Sequence, residues 1–240
     1  MRKVLIATAC AALLVVAAAA DAHVASPAAV RFDPNTKVSQ STSSNWSGYR
    51  AINGHYTSVS ASWKQPTASC TSATTYSSFW VGLDGDGSST VEQTGTSADC
   101  SGGTAKYYAW YEMYPKFPVN LSIAIRPGDS ISASVTTDSG GRFTLTITNT
   151  STGQGFTTTQ KLPRARLASA EAIAEAPSSS GGVLPLTNFG TVGFTSTLVN
   201  GQPIGSFNPD RIDMVSGSTL KAQTSGLSGG TSFSVAWKHA

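Results

Sequence analysis

From Ser43 onward the chain repeats one local pattern, with apolar side chains at every second position and serine or threonine between them. Phe143, Leu145 and Ile147 alternate with Thr144, Thr146 and Thr148. Ile131, Ala133 and Val135 alternate with Ser130, Ser132 and Ser134, and Phe233, Val235 and Trp237 with Ser232, Ser234 and Ala236. A strand turns successive side chains to opposite faces, so a period of two with β-branched residues describes half-buried strands. Turn residues separate the runs at Pro127-Gly128-Asp129, Asp138 to Gly141, Asn149 to Gly153 and Asn200-Gly201. Many short strands at this spacing predict an all-β fold, an antiparallel sandwich or barrel.

Ser169 to Ala176, SAEAIAEA, runs against that pattern. Alanine and glutamate are strong helix formers, and Ser169 is a possible cap. As a strand, Glu171, Ile173 and Glu175 share one face and Ala170, Ala172 and Ala174 the other. Pro177 ends the element in either conformation, so the local sequence leaves both open.

The other end of the chain reads as an export signal. Met1-Arg2-Lys3 is a positive start, Val4 to Ala20 is an uncharged run of 17 residues, and Ala20-Asp21-Ala22 has small residues where a signal peptidase needs them. A run so short and alanine-rich is marginal for roughly 30 Å of hydrocarbon. Residues 1–22 are therefore expected to be a removed signal peptide, 23–42 a flexible leader or short pro-segment, and 43–240 one domain. No second apolar run of that length follows, so a secreted protein without membrane contact, and a monomer, are expected. Of the three cysteines, Cys10 lies inside the signal, which leaves Cys70 and Cys100. Two cysteines in an exported chain most simply form one disulfide, and two free thiols are the alternative.

Composition excludes several functions. Only 12% of the residues are charged, against about 25% in typical domains. Without Arg2, Lys3 and Asp21, the 16 basic and 13 acidic residues become 14 and 12, a net of +2. No basic stripe exists, so a nucleic-acid partner is not expected. Past the signal the histidines are His23, His55 and His239, and no nucleophile-elbow motif accompanies them. No HExxH or Cys/His cluster is present, and neither a metal nor a cofactor is expected. Asp84-Gly-Asp86-Gly-Ser88 has the start of a calcium loop, but Ser89 and Gly95 stand where an EF-hand needs Gly and Glu.

Glutamate is rare: Glu92, Glu112, Glu171 and Glu175 are the four. In Ser78 to Asp84, alternation puts Phe79, Val81 and Leu83 on a core face and Trp80, Gly82 and Asp84 on the other. In Tyr108 to Tyr114, it puts Tyr108, Trp110, Glu112 and Tyr114 on one face. A single strand of this kind is ordinary sheet packing with an acid at the edge. Two of them, each setting a carboxylate among aromatics on the non-core face, point to a cleft.

Five segments then resemble, in order, the motifs of the glutamic peptidases, or eqolisins. They are Ser44-Asn-Trp-Ser-Gly48, Trp80-Val-Gly-Leu-Asp-Gly-Asp86, Glu92-Gln-Thr-Gly95, Ala109-Trp-Tyr-Glu-Met-Tyr-Pro115 and Ala170-Glu-Ala-Ile-Ala-Glu-Ala-Pro177. The resemblance runs from about Ser43 to the C-terminus. It implies a concanavalin-like sandwich of two curved antiparallel sheets with the active site in the concave groove, and 170–176 as strand. It implies an endopeptidase working in acid on polypeptide substrates through a Gln/Glu dyad. Position by position, the dyad falls on Gln93 and Glu175, and Trp46, Trp80, Asp84 and Glu112 match positions that support or bind substrate. Two departures stand out. Ala172 occupies a place where the family usually has a bulky aromatic, and the cysteine pattern is sparser than in fungal members.

The chemistry is self-consistent. A carboxylate can take a proton from water and hand it to the leaving amine, and it remains a base at pH values where histidine is protonated. A glutamine amide does not titrate there. Its N–H groups can donate to an oxyanion and its carbonyl can accept from water. Two other readings use the same residues. One is a β-sandwich glycoside hydrolase with Glu112 and Glu175 as its acid pair, although no E-x-D-x-x-E strand is present. The other is a non-catalytic carbohydrate- or peptide-binding module on the same fold.

Overall fold

The computed structural model describes residues 42–138 and 140–240, with the backbone pairings of His23–Val24 and Val38–Ser39. The expected signal and most of the expected leader lie outside the described residues. The principal strands are β1 (Trp46–Ala51), β2 (Ser58–Lys64), β3 (Ser78–Leu83), β4 (Val91–Ser101) and β5 (Thr104–Tyr114). They continue with β6 (Val119–Leu121), β7 (Ser130–Thr137), β8 (Arg142–Asn149), β9 (Gln154–Lys161) and β10 (Ala170–Glu175). The last are β11 (Thr191–Val199), β12 (Asp210–Ser216), β13 (Thr219–Thr224) and β14 (Phe233–Trp237).

These strands form two sheets. The first has the order β6, β5, β4, β3, β10, β1 and the start of β12, all antiparallel. The second has the order β9, β8, β7, β2, β11, β14, β13 and the end of β12, again antiparallel. β12 belongs to both, since Asp210–Ile212 pair with β1 and Met214–Ser216 with β13. Among the described residues the series of pairings ends at β6, where His23–Val24 lie alongside, and at β9. It therefore does not close into a barrel. The expected sandwich of antiparallel sheets is what the chain forms, and no α-helix occurs among the described residues. None of their helices is long and apolar enough to cross a membrane.

The alternation predicted from sequence sets the core. Ile131, Ala133 and Val135 of β7 and Phe143, Leu145 and Ile147 of β8 point inward, while the serines and threonines between them stay half-exposed. The first sheet answers with Phe79, Val81 and Leu83 of β3 and the alanines of β10. Each large side chain buried this way contributes roughly 1.5–3 kcal/mol. Buried hydrogen bonds also tie the sheets, among them that from the Trp63 indole of β2 to the Thr96 hydroxyl of β4 at 3.0 Å and that between the hydroxyls of Ser47 of β1 and Thr224 of β13 at 2.8 Å.

β10 is strand despite its helix-forming composition. It lies between β1 and β3, and all six residues are buried, so tertiary pairing overrides a propensity of a few tenths of a kcal/mol per residue. Its inward alanines take little room. Ala172 lies between Tyr49 and Val81 in register, and the Tyr49 ring packs edge-on against Phe233 at 4.9 Å. The neighbouring strand thus brings aromatic volume beside a small residue. Cys70 and Cys100 are joined, linking the segment before β3 to the end of β4.

Candidate active site

The outer face of the first sheet is built by the same alternation read the other way. Glu175 and Glu171 come from β10, Trp80 from β3, Gln93 from β4, Glu112 and Trp110 from β5, and Trp46 and Arg50 from β1. Trp46, Trp80, Trp110, Val91, Ile173 and Ile212 form a second apolar cluster here, separate from the inter-sheet core. Trp46 and Trp80 meet edge to face, with ring centroids 5.1 Å apart. Two motif glycines make room for close strand approach. A Cβ on Gly95 would lie 2.2 Å from the Phe79 carbonyl and 2.6 Å from Cβ of Trp80. A Cβ on Gly48 would lie 2.2 Å from the Ala172 carbonyl of β10.

Glu175 is fully buried, and each carboxyl oxygen has its own neutral donor. The Trp80 indole donates to Oε2 at 2.8 Å and the Asn45 amide to Oε1 at 3.1 Å. Desolvation pushes this carboxyl well above the ordinary range. The Trp80 hydrogen bond opposes that, the negative charge of Glu112 adds to it, and Trp46 and Asn45 pull downward. Gln93 is buried beside its register partner Glu112, and its Nε2 donates to Oε2 of Glu112 at 2.8 Å. Oε1 of Gln93 has no hydrogen-bond partner. In register Gln93 stands level with Gly82 and Glu171, whereas Glu175 stands level with Ser78 and Ser97. The two site residues therefore sit on a diagonal of the sheet, with Glu112 close enough to each to bond one and raise the other.

Five of the six sequence-predicted groove residues, Trp46, Trp80, Gln93, Glu112 and Glu175, come together here. Asp84 stands elsewhere. It follows β3 with a positive φ of 64° and accepts three backbone N–H bonds, from Arg166, Leu167 and Ala168, at 2.8–2.9 Å. Both of its oxygens are committed to the segment leading into β10, which it anchors.

Several further residues, given no role in the site by the sequence, bear on it. Asn45 contacts Glu175 directly, and Ser43 holds Asn45. At the far end of β10, Glu171 is paired in register with Arg50, and burial pushes its carboxyl well up. Arg50 itself bridges Asp86 and Asp210, each at 3.0 Å. Glu92 alternates with Gln93 and so points to the core side. Burial, with the charge of Asp84, pushes it up to about 8 against the smaller pull of hydrogen bonding to Thr90 and the backbone. Among the described residues no group of three or more potential metal ligands occurs. The sequence carries N-x-[ST] sites at Asn45, Asn120 and Asn149, and Asn45 and Asn149 are fully buried.

Comparison with known proteins gives the arrangement a context. The Peptidase A4 family matches residues 44–237, nearly the whole described chain. The chain belongs to the peptidase A4 family. Aspergillopepsin-2 of Aspergillus niger is 30% identical over 217 residues, covering 80% of this chain and 77% of that protein. The crystal structure of scytalido-glutamic peptidase with a transition state analogue inhibitor superposes with a TM-score of 0.71 at 30% identity, covering 81% of this chain and 98% of that one. Aspergilloglutamic peptidase from Aspergillus niger gives 0.62 at 30% identity, over 68% and 99%. The chain is thus a peptide-bond hydrolase of the glutamic type, an endopeptidase with polypeptide substrates. The family finding sets aside the glycoside hydrolase and the non-catalytic module.

Proposed function

We propose that Glu175 and Gln93 are the catalytic dyad of a secreted acid endopeptidase. The observation that carries the reading is that Glu175 is held at both oxygens by uncharged donors while Oε1 of Gln93 is buried without a partner. A water admitted between them would find a carboxylate to take its proton and an amide oxygen to orient it. Entry of water also relieves the desolvation that raises Glu175, and the donors from Trp80 and Asn45 then favour the carboxylate. The Gln93 amide donates to the oxyanion as the carbonyl becomes tetrahedral, an interaction of roughly 3–4 kcal/mol in comparable sites. Glu175 returns the proton to the leaving nitrogen. Trp46 and Trp80 wall the carboxyl, Glu112 aims the glutamine, and Asp84 anchors the segment from which β10 begins.

The reading includes secretion, with residues 1–22 as a signal peptide cleaved near Ala22, 23–42 as a flexible leader or short pro-segment, and a monomeric enzyme. The test is a pH series on an unfolded protein substrate with wild type, Glu175→Gln and Gln93→Ala. Cleavage by wild type in acid, insensitive to pepstatin, serine reagents and chelators, is expected, with both variants folded and nearly inactive. A Glu175→Gln variant that cuts as well as wild type would overturn the assignment. The N-terminal sequence of the secreted protein tests the processing site.

A further inference from the structure

We infer that Asn45, locked by Ser43, is a positioning residue for the Glu175 carboxyl. The inference rests on Glu175 being the proton-transfer group. With Trp80 on Oε2 and Asn45 on Oε1, the carboxyl cannot rotate without losing one of two buried hydrogen bonds.

The amide is itself fixed. The Ser43 hydroxyl donates to Oδ1 of Asn45 at 3.0 Å. The Ser43 hydroxyl oxygen itself accepts from the backbone N–H of Asn45 at 3.3 Å and of Trp46 at 3.1 Å. A serine hydroxyl has one proton and two lone pairs, so these contacts exhaust it and dictate that Oδ1 faces Ser43. The NH2 group is thereby left toward Glu175. The backbone closes the same clasp, since the N–H of Ala176, directly after Glu175, donates to the carbonyl of Asn45 at 2.8 Å. Ser43 and Asn45 are buried, so the Asn45-Trp46-Ser47 sequence serves this clasp and not glycan attachment.

The neutrality of the donor matters. A lysine or arginine at the same distance would hold the carboxylate by charge and make it a weak base. An amide orients it and favours ionisation only modestly.

The test is the pH profile of kcat/KM on a peptide substrate without titratable groups, for wild type, Asn45→Ala, Ser43→Ala and Glu175→Gln. Removing a donor to the charged form raises the Glu175 pKa, so the acid limb for Asn45→Ala moves to higher pH by about one unit. Its kcat falls about 10- to 100-fold. Ser43→Ala keeps every side chain that touches Glu175, shifts the limb in the same direction by less, and provides the measurement if Asn45→Ala does not fold. Limbs superimposable on wild type overturn the proposal even if kcat drops, because a purely structural role would not move the ionisation. Glu175→Gln separates the two ideas. If it cleaves normally, the reading of Glu175 fails. If it is dead while the limbs stay put, only the Asn45 inference fails.

Discussion

Gln93 and Glu112 face each other across the β4–β5 pair, and Nε2 of the glutamine donates to Oε2 of the glutamate at 2.8 Å. The charge of Glu112 also reaches Glu175 and raises it. One carboxylate thus aims the amide and biases the acid, and substitution can pull the two effects apart. Glu112→Gln keeps an oxygen for Gln93 but removes the charge. The Glu175 pKa then falls and the acid limb of kcat/KM moves to lower pH, with kcat kept within about tenfold. Glu112→Ala removes the charge and the acceptor together. It shifts the limb the same way, but kcat drops by about 10- to 100-fold because the amide is free to turn. The two pH profiles, measured side by side, check both statements.

Glu92 makes a different prediction, about stability. Its folded-state pKa of about 8 lies above the ordinary 4.5 of an unfolded chain. Between these values the folded protein holds a proton that the unfolded chain has released, so stability falls as pH rises through that window. Below about 4.5 the penalty is absent, and above about 8 it is complete, on the order of several kcal/mol. Glu171 and Glu175 are shifted in the same direction. Glu92→Gln should therefore raise Tm at pH 7–8 and leave it nearly unchanged at pH 4. A Tm difference that does not grow with pH would show that Glu92 does not carry the dependence.

The faces of the sheets were legible in the sequence, because a period of two assigns each residue of a strand to one side or the other. Once Gln93 faces the groove, its neighbour Glu92 must face the core, and a buried acid follows. β10 was not legible from local preference, which leaned toward helix; its place between β1 and β3 decides it, and only the motif order indicated that. The partners of Glu175 were illegible for another reason. Asn45 lies 130 residues away in sequence, and alternation within a strand does not say which strand lies beside it. Alternation cannot be carried past the end of β3 to Asp84. Its positive φ turns the side chain to the backbone amides of 166–168.

The disulfide should matter to stability and not to chemistry. Cys70 and Cys100 are separated by 30 residues, and closing a loop of that size is worth about 3–4 kcal/mol in the chain-entropy account. Cys100 pairs in register with Ala105, toward the other end of β4 from Gln93, which pairs with Glu112. A Cys70→Ser/Cys100→Ser double variant is expected to lose about that much in chemical denaturation and to keep kcat near wild type below its own melting temperature. A large fall in kcat for the folded variant would place the bridge in the site's support.

The glycine of the Gln93-Thr-Gly95 motif can be tested against a glycine that has no such duty. A Cβ on Gly95 would meet the Phe79 carbonyl at 2.2 Å and Cβ of Trp80 at 2.6 Å. Neither can retreat cheaply, since the first is backbone in the paired strand and the second belongs to a fully buried indole that donates to Glu175. Gly95→Ala must then push β3 from β4 and displace the donor from the carboxyl. It should cost about 1–3 kcal/mol, or more if the sheet does not yield, and lower kcat with it. Gly193 lies in β11, where an added Cβ meets nothing within 4 Å. Gly193→Ala should be neutral or stabilise by a few tenths of a kcal/mol, through reduced freedom of the unfolded chain. Denaturation curves and kcat for the pair separate the general cost of replacing a strand glycine from the cost of filling the space over which Trp80 reaches Glu175.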